Sequence, residues 1–342
     1  MVDLNRTCLI YISGRLMRIS TTFRPFVAAL MARMTFQYQH RGRRKYDFYT
    51  EPVACFDVTQ VRGVPHIKTG MGFYEAVLQM AYDFGMEVQV IDQSRDCVIE
   101  SPTEVPVLPF KIPLVEWREA RDWQREAVRY MNSFMDGRIK VAPGGGKSHL
   151  IKKVCRWLPD SRILIVDKSK TRLNSMATQV MGEAATVGVY HSGSKCDLSV
   201  RVLICSIGCL ESVAHIEWDM LLADELHELV TPDGAAKLPL IRTKRAYGFS
   251  ANLEDRADNA DLWAETYFGP IRMRREYADV QSDGDVVPIY VDWLNCANCR
   301  LPSLPPGPRP MHEQQRRNVW RNADRNRMFA EKARQYYEEG RQ

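Results

Sequence analysis

Apolar residues recur along this chain with different rhythms, and each rhythm marks a different kind of element. In the N-terminal third, TTFRPFVAALMARM (21–34) and GFYEAVLQMAYDFG (72–85) carry apolar residues at helical spacing. In the second, Phe73, Val77, Met80 and Phe84 share one side. A short β-like run, MEVQVID (86–92), follows. Residues 1–110 therefore read as a small α+β domain. The stretch SPTEVPVLPFKIP (101–113) carries four prolines. Proline removes backbone donors and restricts its neighbours, so a linker is expected there.

From 114 to 275 the rhythm changes. GRIKVA (137–142) reads as a strand running into a Gly-rich turn, and SHLIKKVCRWL (148–158) as a helix. RILIVD (162–167), RVLICS (201–206), MLLADE (220–225) and RAYGFSA (245–251) are short, apolar, strand-like runs. Such runs separated by helical segments predict an α/β domain with a parallel sheet covered on both faces. Residues 276–342 differ again: a strand at 286–294, a proline-rich extended stretch at 299–310, and a long polar helix at 318–341. No internal repeat is present.

Two strings carry chemistry. The first is Ala142-Pro143-Gly144-Gly145-Gly146-Lys147-Ser148, between a strand and a helix. Glycines let backbone N–H groups turn inward around phosphate oxygens without side-chain clash, and a helix start presents its positive dipole end to an anion. Gly144, Gly145 and Gly146 would form the cradle, Lys147 would neutralise the β- and γ-phosphates of ATP, and the Ser148 hydroxyl would ligate Mg²⁺. The leading glycine of the general pattern is absent. The second string is Asp224-Glu225-Leu226-His227, directly after Met220-Leu221-Leu222-Ala223. Parallel sheets place their ligand crevice at strand C-terminal ends. Asp224 would hold Mg²⁺ through water and Glu225 would polarise an attacking water.

Composition narrows the setting. The chain has 342 residues, 45% hydrophobic and 26% charged, as in soluble globular proteins. No apolar run reaches the roughly eighteen residues of a membrane span. Nine scattered cysteines suit a reducing compartment, and the cytoplasm of a bacterium or of an infected cell is expected. The net charge of +5 is too small to argue for nucleic acid by itself. The strongest local cluster is Arg41-Gly42-Arg43-Arg44-Lys45, followed by Tyr46, Phe48 and Tyr49. It could grip phosphates and stack on bases, or be a solvated hairpin tip. Cys296 and Cys299 have metal-ligand spacing, with His312 beyond them, but a structural zinc needs four ligands. Two free thiols is the simpler reading.

The phosphate-loop and D-E-L-H strings together resemble motifs I and II of superfamily 2 helicases of the DEXH type. Further segments resemble that family, most of all its phage-type repair members. Arg121-Asp122-Trp123-Gln124 resembles the signature upstream of motif I, which implies that Arg121 and Gln124 bind nucleotide, with Gln124 reading adenine. Ile163–Val166 with Leu173 resembles motif Ia. Val202–Ile207 resembles a DNA-contacting motif, with Ser206 where threonine is usual. Gly248-Phe249-Ser250-Ala251-Asn252 resembles motif III, so Ser250, Ala251 and Asn252 would couple nucleotide state to DNA. His227 would link the Mg²⁺ site to motif III. The runs at 256–271 and 285–293 also resemble phage-type members. The likeness covers about 115–295 well and the rest loosely. It departs at Asp167-Lys168, where proline is usual, and at Asn252, where threonine is usual.

The resemblance implies a RecA-like P-loop domain over 114–275, using ATP and Mg²⁺, in a DNA helicase or translocase of repair, recombination or replication. It places DNA contacts on the small domain at 1–110, at Arg41, Arg43, Arg44 and Lys45. Residues 276–342 would lead to a second RecA-like lobe, which supplies arginine fingers in this family. That lobe is expected on a separate polypeptide or on a longer form of this chain, and this chain alone is expected to hydrolyse ATP slowly. Alternatives from other classes are a one-lobed accessory module that grips ATP and DNA, and a motor subunit of a restriction system.

Overall fold

The computed structural model describes residues 6–13, 15–41, 48–93, 97–99, 111–112, 120–181, 186–254, 256, 258–284 and 322–340. The strand at 286–294, the proline-rich stretch at 299–310, Cys296, Cys299, His312 and the basic residues Arg43, Arg44 and Lys45 lie outside them. Residues 1–287 form one compact unit, and 288–342 belong to a second.

The first unit begins with β1 (Thr7–Ser13), β2 (Leu16–Ser20), α1 (Arg24–Arg33), β3 (Thr35–Arg41), β4 (Phe48–Ala54), β5 (Phe56–Val61) and β6 (Val64–Gly70). It continues through α2 (Tyr74–Asp83), β7 (Glu87–Asp92) and β8 (Cys97–Ile99). Six of these strands make a mixed sheet in the order β5-β6-β2-β1-β7-β8, and β3 and β4 pair separately as a hairpin. Only β1 and β7 run parallel in the mixed sheet.

The second layer starts at α3 (Asp122–Ser133) and β9 (Asp136–Val141), followed by α4 (Lys147–Trp157), β10 (Ile163–Asp167) and α5 (Lys170–Met181). Then come β11 (Val187–Tyr190), β12 (Val202–Ser206), β13 (Glu217–Ala223), α6 (Leu226–Leu229) and α7 (Pro232–Lys237). The layer ends with β14 (Arg242–Ser250), α8 (Asp261–Phe268), β15 (Ile271–Arg275) and α9 (Tyr277–Ser282). Its seven strands are parallel throughout, in the order β11-β12-β10-β13-β14-β9-β15. The fold is thus α/β, with a RecA-like parallel sheet and a smaller mixed sheet at the N-terminal end.

The near-continuous apolar runs have a direct cause. Successive side chains of a strand point to opposite faces, so a strand buried on both sides must be apolar at every position. Ile163, Ile165, Val202, Ile204, Met220 and Leu222 enter one core with α3, α4 and α5. Their alternates Leu164, Val166, Leu203, Cys205, Leu221 and Ala223 enter the other core. That second core is continuous with the N-terminal layer, through Ile10, Met17, Ile19, Phe73 and Phe268.

The layers meet at α8 with little room between backbones. A Cβ on Gly72 would fall 1.7 Å from the Glu265 carbonyl oxygen, and one on Gly70 would fall 2.1 Å from that of Thr266. Charges tie the rim: Arg15 pairs with Asp136 at 3.0 Å, Arg33 with Glu265 at 2.5 Å, and Arg272 holds both oxygens of Glu75. At the end of the expected linker, the Asn132 amide clasps both backbone groups of Ile112 at 2.7 Å. In the second unit, α10 (Ala323–Glu338) starts at Asn322, whose side chain accepts from the Arg325 N–H. Among the described residues no helix is long and apolar enough to cross a membrane.

Gly72→Ala is expected to destabilise the first unit by about 1–3 kcal/mol or more, because the added methyl meets backbone that cannot step aside. Urea unfolding measures this, with near-UV and far-UV signals moving together. Wild-type stability in the variant would show that the seam is looser than described.

Candidate functional site

The C-terminal ends of β9, β10, β12, β13 and β14 gather the candidate residues along one edge of the parallel sheet. The Gly-rich string leaves β9 and turns into α4, which begins at Lys147, one residue earlier than its sequence suggests. Gly144 and Gly146 have φ of +77° and +94°, a region that side chains disfavour. Gly145 is barred to larger residues for another reason: its Cβ would lie 2.5 Å from Val141 Cγ1. All three glycines therefore answer a local demand.

Lys147 is 8% exposed. Its Nζ donates to the Val141 carbonyl at 3.1 Å and lies 3.8 Å from Glu225 Oε1. An ammonium has three donors, so this arrangement retains capacity for an anion above the loop. Arg121 and Gln124 meet the loop from below. Arg121 Nη1 donates to the carbonyls of Gly145 at 2.5 Å and Gly144 at 3.3 Å. Gln124 Nε2 donates to Gly146 O at 3.1 Å, while its Oε1 accepts from the Arg121 N–H. Between them the two side chains bind the carbonyls of Gly144, Gly145 and Gly146. Gln124 is buried, and Trp123 beside it belongs to the core.

Asp224 and Glu225 follow β13, separated from the Gly-rich loop's strand by β14 alone. Glu225 adopts φ of +47°, uncommon outside glycine, and its N–H turns back to Asp224 Oδ1 at 3.1 Å. His227 Nδ1 lies 2.7 Å from Ser250 Oγ and 3.4 Å from Glu225 Oε2. Ser250 Oγ also accepts from the Asn252 N–H at 3.1 Å. His227 thus bridges the acidic pair and the end of β14. Ala251 lies within that turn. Ser206 ends β12 in register with Asp167, half-buried. Ser148 stands in the first turn of α4. Of Arg41, the structure places the backbone at the end of β3.

Two further residues complete the edge. Asp167, at the end of β10, is buried and accepts from the Ser169 N–H at 2.8 Å. Arg172 grips both Asp167 oxygens, at 2.8 and 2.7 Å, and both Glu228 oxygens, at 3.2 and 2.9 Å. Asp167 was findable from its place at a strand's C-terminal end; Arg172 was not. Cys205 is a small core residue, its thiol pushed up to about 12 by burial.

Burial pushes the Asp224 carboxyl from 3.8 up to about 6, and the nearby charges of Glu225 and Asp167 push the same way. The folded protein therefore keeps a proton between about pH 4 and 6 that the unfolded chain has lost. The associated stability is present below that window and lost as pH rises through it. A shift of this size corresponds to about 2–3 kcal/mol. Asp224→Asn is expected to unfold at higher denaturant than wild type at pH 8 and to lose that advantage near pH 4. Equal midpoints at pH 8 would show that the carboxylate carries no strain.

No family model matches the sequence, and no curated protein matches it. Solved structures do match. The chain is similar to the UvsW helicase from bacteriophage T4, with 14% identity and a TM-score of 0.56, over 78% of this chain and 99% of that one. A second structure of T4 UvsW gives 15% identity and the same TM-score, and there the match spans 57% of the relative's length. At such identity the likeness is one of fold: over that span the chain is folded like T4 UvsW.

Proposed function

We propose that this chain carries the ATP-binding lobe of a DNA-dependent ATPase, a helicase or translocase of DNA repair, recombination or replication. The observation that supports it best is the convergence of the Gly-rich loop, buried Lys147 and the Asp224-Glu225 pair on one sheet edge, with Lys147 Nζ 3.8 Å from Glu225. Glycines at positive φ, a lysine with spare donors and a helix start suit a polyphosphate. Asp224 and Ser148 would hold Mg²⁺, which supplies charge neutralisation at the phosphates when bound.

In this reading Lys147 exchanges its Val141 carbonyl for phosphate oxygens. Arg121 and Gln124 keep the loop's carbonyls turned away, so that its N–H groups face the anion. Glu225 orients water for attack, and its left-handed backbone is the kind of strain that functional sites hold. His227 passes the state of the acidic pair to Ser250-Ala251-Asn252. DNA would lie against Ser206 and the basic cluster at 41–45. In P-loop enzymes an arginine finger adds about 10³–10⁵ in rate. The guanidinium of Arg121 is committed to the loop's carbonyls, so Arg121 would not serve as that finger.

Titration with Mg·ATP and a DNA-stimulated hydrolysis assay test this. Lys147→Ala is expected to weaken nucleotide binding by at least about tenfold, or about 1.4 kcal/mol. Glu225→Gln is expected to bind normally and to lose about 10²–10⁴ in hydrolysis rate. No nucleotide binding by the unaltered chain would sink the proposal.

The DNA reading has its own measurement. Replacing Arg41, Arg43, Arg44 and Lys45 by Ala is expected to flatten the salt dependence of DNA binding by up to about 0.9 log units per lost phosphate contact. An unchanged slope would place the DNA elsewhere.

A further inference from the structure

A short segment after β14, carrying Arg256, Asp258 and Asn259, touches two things at once. On one side it meets the β3–β4 hairpin of the N-terminal layer. On the other it meets α6, the short helix that begins right after Glu225.

A two-stranded hairpin is marginal in water by itself, and its outer edges present unpaired backbone groups. Here the edge of β3 that faces away from β4 is closed by this loop. The Gln39 N–H donates to the Asp258 carbonyl at 3.2 Å, and Asn259 Nδ2 donates to the Gln37 carbonyl at 2.8 Å. Phe36 and Tyr38 pack on Trp263 of α8, with ring centroids at 5.2 and 4.7 Å. The hairpin thus borrows its stability from the ATP lobe. Asn259 has φ of +57°, a conformation that asparagine tolerates better than most residues.

The loop's other contact is a single guanidinium. Arg256 forks onto both oxygens of Asp258, at 2.9 and 2.7 Å. With its remaining donors it reaches the His227 carbonyl, and the Val230 carbonyl at 3.3 Å. These carbonyls belong to α6 and its C-terminal end. Orphan carbonyls at a helix end need donors, and Arg256 supplies them. Beyond the loop's start, Glu254 is anchored by Arg274 at 2.7 Å and Lys140 at 3.3 Å. Glu254 on one side and Asn259 on the other are thus both tied to neighbouring elements.

We propose that Arg256, Asp258 and Asn259 form a strap that ties the β3–β4 hairpin to the acidic catalytic segment, with Arg256 as the positioning residue for His227. Load on the hairpin, and DNA above all, then changes the order of 226–231 through this loop. This rests on the functional reading above for the identity of the load, but the strap itself consists of residues and bonds already described. Arg256 acts through the carbonyls of His227 and Val230, and the planar fork of arginine is what lets one side chain serve four acceptors.

Hydrogen exchange of the 226–231 amides in the full chain, with and without a short DNA duplex, tests the strap. Asn259→Gly removes the bond to Gln37 while keeping the backbone angle accessible, and Arg256→Lys keeps the charge while losing the fork. In the unaltered chain the duplex is expected to slow exchange at 226–231 by about fivefold or more, the lower range of measured couplings between sites. In both variants that ratio is expected to fall to within about twofold of one, a change that general loosening, which shifts both states alike, does not produce. Equal slowing in the variants, or no slowing in the unaltered chain, overturns the proposal. A parallel titration with Mg·ADP separates the two readings. Loss of nucleotide binding in the unaltered chain sinks the ATPase proposal, while the exchange ratio alone decides the strap.

Discussion

Two-sided burial of the central strands is the constraint on which the rest of this structure depends. Each of β10, β12 and β13 sends alternate side chains into different cores. A slip of one residue would exchange those faces. Register is therefore fixed, and with it the line of strand ends where Asp167, Ser206 and Asp224 stand. The Gly-rich loop is aimed by the same means, because β9 delivers it beside β14 and β13. The candidate chemistry sits on loops, but its spacing is set in the apolar interior.

That edge concentrates negative charge, and the protein treats its carboxylates differently. Arg172 neutralises Asp167 and Glu228 with one planar fork, and its hydrogen bonds hold Glu228 below the ordinary carboxylate value. Asp224 has no such fork among the described residues. Among the described residues the basic group that bears on it is Lys147, which acts more weakly than burial and the adjacent carboxylates. The result is a graded set: carboxylates satisfied within the fold, and one that is raised. Positive charge placed beside Asp224 would relieve the repulsion already present there.

The parts of this arrangement legible in the sequence are those with local causes. Three consecutive glycines before Lys-Ser answer demands of backbone angle and close packing within a few residues, so the loop could be located to within one residue of its helix start. The apolar runs announced the parallel sheet because burial on both faces leaves no polar position. Asp224 and Glu225 followed from strand-end placement. The edge strands β11 and β15 escaped notice, since a short or half-exposed strand needs no continuous apolar run. The role of Gln124 in holding Gly146 could not be seen, because it depends on where β9 carries the loop. Arg172 and Arg256 look like ordinary surface arginines in the sequence. Each has one near acceptor, Asp167 or Asp258, but Glu228, His227 and Val230 lie 26 to 56 residues away, and only the tertiary fold brings these within reach.

The seam at Gly70 and Gly72 bears on how this molecule can be taken apart. Two backbones approach there without side chains between them, and the core on that face of the parallel sheet runs on into the N-terminal layer. Sequence boundaries at a proline-rich stretch invite the picture of beads on a string. Here the boundary in the chain is not a boundary in the solid. Cutting near residue 110 would strip an apolar wall from the parallel sheet and leave α8 facing water. Exchange of the N-terminal layer between related proteins would have to carry α8 with it, so the transplantable piece is defined by the seam and not by the linker.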